Sequence, residues 1–193
     1  MATHTVRALF IAVFMSVLVL VCPTRSRAEM PQGVPRIRVE SRHARELLAA
    51  AIGRSPTLQN LVQQIERSNV IVYVTCKHFD SVTLQGRTMW GAASADARYV
   101  RVQVDCMLVN QQLVTILGHE FQHVVEIATA PDVVDEDGFA RLFRTIGYAS
   151  CGREQFETGK ALETGARVRE EYLDGWAIRS RVVADARSRV PLE

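Results

Sequence analysis

The stretch Leu117-Gly118-His119-Glu120-Phe121-Gln122-His123-Val124-Val125-Glu126 sets a polar group of residues inside an otherwise apolar run. The run predicts a long helix from Gln111 to about Thr129, capped by Asn110 and ended by Pro131. A helix places residues i and i+4 on one face about a turn apart, so the imidazoles of His119 and His123 can reach one metal ion. Glu120, beside the first histidine, then stands where a carboxylate can take a proton from a metal-activated water. Gly118 leaves space beside the first ligand. Ionisable groups in a buried helix cost stability unless they are paired or metallated, which gives the pattern a physical reason to hold a cation. The plainer alternative is two helix histidines satisfied by Glu120 and Glu126.

Working outward, the order of elements predicts an α+β domain. Ser41 reads as the cap of a helix through Ile52, with Leu47, Leu48, Ala51 and Ile52 on one face and Gly53 as its stop. Ser55-Pro56 opens a second helix that carries Leu58, Leu61, Val62 and Ile65 and ends at Asn69. Val70-Ile71-Val72-Tyr73-Val74 is β-branched and aromatic throughout, hence an interior strand. Arg87 to Gly91 reads as a further strand. Tyr99 to Asp105 alternates, with Val100, Val102 and Val104 inward and its polar side toward solvent or substrate. Beyond the central helix, Asp135 to Ile146 and about Glu154 to Trp176 read as two more helices. The expected sheet is small, antiparallel or mixed.

The first 28 residues stand apart. An apolar run of 15 residues from Ala8 to Cys22 is shorter than the roughly 20 needed to span a bilayer. Ser26-Arg27-Ala28 then offers a small-x-small cleavage site before Glu29, so residues 1–28 are expected to be a removed export signal and residues 29–193 a single domain. The alternative is an uncleaved membrane anchor, favoured by Arg25 and Arg27; only in that case is a membrane association expected. Without Arg7, Arg25 and Arg27 the chain keeps 20 basic against 21 acidic side chains, so its overall basicity implies no nucleic-acid partner. A chain with 48 % hydrophobic and 23 % charged residues also has the means to build a core. Cys76 and Cys106 each close a strand-like run and are expected to pair if the compartment is oxidising, with two buried thiols as the alternative; Cys151 can pair with either.

On His119, Glu120 and His123 the chain resembles the zincin metallopeptidases, and more narrowly the gluzincin branch, together with small secreted bacterial proteins that join a signal peptide, a short sheet and a Gly-His-Glu-x-x-His helix. The resemblance implies Zn²⁺ as the cofactor, peptide or protein as the substrate, and a twisted sheet whose edge strand lies beside the active-site helix; Tyr99 to Asp105 is expected to be that edge. It also implies a glutamate on a later helix as third ligand. Glu157, at the expected first turn of a separate helix, is the preferred candidate, with Glu126, Glu163 and Glu170 as alternatives. Glu126 shares the histidine face but stands about 10 Å of rise beyond His119, which suits a partner to the ligands better than a ligand. Other branches fit less well: the metzincin extension needs glycine at position 126 and histidine at position 129, where this chain has Glu126 and Thr129. Peptide deformylases take a cysteine from Glu-Gly-Cys, where this chain has Asp105-Cys106.

His78 is a weaker candidate at a strand end, His43 is expected at the surface, and Trp90 and Tyr99 are candidates to line a cleft. Two functions follow as expectations. One is an exported zinc-dependent hydrolase, a metallopeptidase with Glu120 as general base. The other is a non-catalytic exported protein that keeps the helix as a metal-binding or interaction site. No Ser-His-Asp signature and no glycine-rich phosphate loop is present.

Overall fold

The computed structural model describes residues 35–80, 83–149 and 156–188, with side chains to residue 175. The expected signal segment, its cleavage site and Cys151 lie outside the described residues. The elements are β1 (Ile37–Val39), α1 (Arg42–Ile52), α2 (Pro56–Glu66), β2 (Val70–Cys76), β3 (Gly86–Ala93), β4 (Arg98–Val104), α3 (Asn110–Thr129), α4 (Glu136–Ile146), β5 (Tyr148–Ala149), β6 (Phe156–Glu157) and α5 (Gly159–Ser188). Together they form an α+β arrangement. Among the described residues no helix is long and apolar enough to cross a membrane.

The first two helices start as their caps require. Ser41 accepts from Ala44 N and Ser55 from Leu58 N, the latter with Pro56 in the first helical turn. Glu171 of α5 reinforces the second start, accepting from Ser55 Oγ, Thr57 N and Thr57 Oγ1. The second helix closes at Arg67, two residues short of the expected Asn69.

The sheet is mixed, ordered β1-β2-β4-β3, with β1, β2 and β4 parallel and β3 antiparallel to β4. Val70, Val72 and Val74 of β2 and Val100, Val102 and Val104 of β4 are buried toward the helices. The opposite face turns Tyr73, Arg101 and Gln103 outward. The polar side of β4 therefore faces solvent. This corrects a further expectation: β4 is paired on both sides, and the edge next to it is β3. Alternation reports which face of a strand is buried, not how many neighbours it has. A β-bulge between Trp90 and Ala92 bends that edge.

Across the sheet lies α3, with α5 packed along it. Leu113, Leu117, Phe121 and Val124 are fully buried, and at about 1.5–3 kcal/mol for each large apolar side chain they offset the cost of carrying ionisable groups in the same helix. The helix is capped at Val109 without a side-chain bond, so Asn110 is its first residue rather than its cap. Its far end is held by Arg98, buried at the start of β4. That guanidinium donates to Asn69 Oδ1 at 2.8 and 3.0 Å and to the carbonyls of Ile127 at 2.8 Å, Ala128 at 3.0 Å and Ala130 at 2.6 Å. Carbonyls left over at a helix C-terminus attract such a cation. Cys76 and Cys106 are joined as a disulfide with Cα atoms 5.4 Å apart, tying the end of β2 to the turn after β4.

Candidate metal centre

Three side chains from two elements converge. His119 and His123 point from one face of α3, and His119 Nε2 and His123 Nε2 lie 3.3 and 3.5 Å from Glu157 Oε1. Their ligand atoms all fall within 4.8 Å of one another, a group that can hold a metal ion. The donor set, two imidazoles and a carboxylate, suits a borderline cation.

Glu157 arrives by a route that the expected helix did not contain. It sits in β6, two residues before α5 begins, and pairs with Tyr148 of β5. Strand β5 follows the close of α4 at Gly147, where a Cβ would approach Glu157 O and Phe143 O to 2.7 Å. Only glycine lets α4 and β6 come this close. Likewise, a Cβ at Gly118 would meet Val168 of α5 at 2.8 Å. The space there admits the neighbouring helix, not the ligand, which corrects the expected role of Gly118.

Glu120 is 3 % exposed and faces the edge strand. Thr88 Oγ1 donates to its Oε2 at 2.7 Å, and a Cβ at Gly86 would stand 2.7 Å from its Oε1. Thus β3 supplies both a donor for one carboxylate oxygen and a vacancy for the other. Burial raises the Glu120 pKa, although the charges of His123 and His119 and the Thr88 bond act against it.

Behind the metal face, Glu126 Oε2 is 2.9 Å from His123 Nδ1. Its other oxygen accepts from Thr158 Oγ1 at 3.0 Å and from Gln122 Nε2 at 3.4 Å. Burial alone would depress the His123 pKa, but hydrogen bonds to Glu126 and Glu157, with the charges of Glu120 and Glu126, hold it up at about 9. For Glu157 burial acts upward, and the bonds to His119 and His123 prevail and bring it down to about 2.

A cleft of about 480 Å³ opens over these groups, walled by β3, α3 and α4 and by Phe156. One wall is aromatic: Trp90 and Phe139 have ring centroids 6.5 Å apart, Phe139 and Phe143 4.9 Å, and Phe143 meets His123 edge-on at 5.2 Å. Compared with protein-family models, with curated proteins and with solved structures, the chain matches none.

The structure thus brings His119, Glu120, His123 and Glu157 together and sets Glu126 behind His123. It leaves Glu163 and Glu170 exposed on α5. His78 is 73 % exposed and lies 3.6 Å from Asp105, and His43 is exposed on α1. Trp90 lines the cleft, whereas Tyr99 on β4 is not among its lining residues. Cys106 is engaged in the disulfide and is no ligand. Sequence reasoning missed Gly86, Thr88, Phe139, Phe143 and Thr158. For the α4 pair a signal existed, since Glu136, Phe139 and Phe143 share one helical face; for Gly86 and Thr88 none did, because their partner lies on a distant helix.

Proposed function

We propose that this protein is an exported zinc-dependent hydrolase, a peptidase of the zincin kind, with His119, His123 and Glu157 as the zinc ligands and Glu120 as general base. The observation that carries the reading is the meeting of these four groups beneath one open cleft. Separations of 3.3 and 3.5 Å between the histidine nitrogens and Glu157 Oε1 support zinc. Tetrahedral bonds of about 2.0–2.1 Å put neighbouring ligand atoms roughly 3.3–3.4 Å apart.

Zinc bound there supplies Lewis acidity toward a substrate carbonyl and a water of lowered pKa. Glu120 would accept a proton from the attacking water as its oxygen bonds to the carbonyl carbon, and would pass that proton to the amine nitrogen as the C–N bond breaks. Burial raises the Glu120 pKa, which strengthens this carboxylate as the base for the first transfer, and Thr88 donates to one oxygen while the other lies beside Gly86. Strand β3, an edge of the sheet among the described residues, borders the cleft and supports binding of an extended peptide by strand addition. The edge beside the site, which the resemblance put at β4, is β3. Trp90 and Phe139 favour a bulky apolar residue in that peptide. Glu126, turned to the back of His123, supports a site open on its cleft side, against the alternative of a closed, non-catalytic metal site. The Cys76–Cys106 bond supports export, since such bonds persist in oxidising compartments.

Metal analysis of the purified mature protein, with His119→Ala as the metal-free control, and hydrolysis of a quenched-fluorescence peptide library test the reading together. Glu120→Gln should keep its zinc while hydrolysis falls by about 10²–10⁴. Glu157→Ala should lose zinc, and Glu126→Ala should lose less. Loss of zinc from Glu120→Gln, or full activity without Glu120, overturns the mechanism.

A further inference from the structure

Thr158 stands between Glu157 and the first turn of α5 and is 2 % exposed. All its donors are committed. Its N–H donates to Glu157 Oε1 at 2.9 Å. Its hydroxyl accepts from Ala161 N at 3.0 Å, capping α5, and donates to Glu126 Oε1 at 3.0 Å. A hydroxyl carries one hydrogen, and with Ala161 N–H on a lone pair that hydrogen serves Glu126. Glu126 in turn meets His123 Nδ1 at 2.9 Å.

We propose that Thr158 is a positioning residue for the metal site, aligning the ligands from two elements at once: Glu157 through its own N–H, and His123 through a Thr158–Glu126–His123 relay. The inference rests on the metal-site reading above. An imidazole turns about its Cα–Cβ and Cβ–Cγ bonds, and a partner at Nδ1 both fixes the ring plane and directs the Nε2 lone pair at the ion. Glu126 needs the same restraint, because a glutamate has three side-chain torsions. Thr158, rigid at χ1 as a β-branched residue and held by its cap, provides a fixed post. The third ligand and the orientation of the second therefore depend on where α5 begins.

The test is zinc affinity of the mature protein, measured by competition with a chromophoric chelator, together with the visible spectrum of the Co²⁺-loaded form. Thr158→Val, similar in shape but without the donor, should weaken zinc binding about 10–100-fold and alter the Co²⁺ spectrum; Thr158→Ser should restore both. Thr158→Asp, which still caps Ala161 but brings no proton to Glu126, should behave like the valine variant. Glu126→Gln should lose affinity to a similar degree, and the double variant Glu126→Gln/Thr158→Val should lose no more than the worse single one, because both break one chain of contacts. Native affinity in Thr158→Asp or in Glu126→Gln, or additive losses in the double variant, overturns the relay. Should Thr158→Val not fold, Glu126→Gln and Thr158→Asp decide the matter. If the unaltered protein binds neither ion, the metal-site reading itself falls, a result distinct from any difference among variants.

Discussion

In the metal-free protein a proton on His123 competes with any cation, because Glu126 and Glu157 hold this imidazole up at about 9. The effect on the bare fold has a definite sign. His123 contributes stability in full below about pH 6.5, its ordinary value, and that contribution is lost as pH rises through about 9. Metal binding runs the other way, since Nε2 must shed its proton to coordinate. Glu157, brought down to about 2, is already a carboxylate and releases none. Zinc affinity should therefore rise about tenfold per pH unit between about pH 6 and pH 8 on account of His123. Calorimetry in buffers of different ionisation enthalpy should find at least one proton released per ion. An affinity flat across that window contradicts the assignment. A second residue-scale expectation concerns Gly86. A methyl group there would stand 2.5 Å from Ile116 Cγ2 and 2.7 Å from Glu120 Oε1, so Gly86→Ala should displace the carboxylate. Metal content should hold while hydrolysis falls, and unchanged turnover would show that the vacancy has no part in holding Glu120. His119 and His123 were legible as a pair because four residues is one helical turn. Thr88 was not, since nothing local marks a threonine as the partner of a glutamate 32 positions away.

Among the elements, α3 carries most of the candidate site's ionisable groups, so their positions depend on its not shifting along the sheet. Apolar packing sets its depth, and Arg98 fixes its C-terminal end through several carbonyls. Removing that guanidinium strands buried acceptors, each costing about 1–3 kcal/mol. Arg98→Leu should thus lower the unfolding free energy by roughly 2–4 kcal/mol in urea titration, although the substitution is larger in apolar area. A loss within error of zero would mean that the carbonyls find water. The helix spans themselves were largely readable, since Ser41, Ser55 and Asp135 are side-chain caps and Pro131 a stop. The start of α5 was not. Phe156 and Glu157 pair with Tyr148 and Ala149 as a short ladder, and a two-residue strand has too few positions to show a period.

For the molecule as a whole, the disulfide closes a loop between positions 30 residues apart, which encloses β3 and β4. A loop of that size is expected to contribute about 3–4 kcal/mol by restricting the unfolded chain. The double variant Cys76→Ser/Cys106→Ser should lose that much in denaturant unfolding, and equal stability with and without the bond would contradict it. The sequence by itself determined the α+β class, the buried valines of β2 and β4, and the helix that presents His119 and His123, and it offered the pairing of Cys76 with Cys106 as one of several open choices. Each follows from spacing within a single element or from residue chemistry at its end. Only the tertiary structure decided that β3 rather than β4 is the edge beside the site, that Glu157 and not Glu126 meets His119 and His123 in a group that could hold a metal, and that Gly86, Thr88 and Thr158 border the ionisable groups. Those outcomes depend on which surfaces meet when helices and strands pack, and contacts between residues some thirty positions apart leave no periodic trace in the chain.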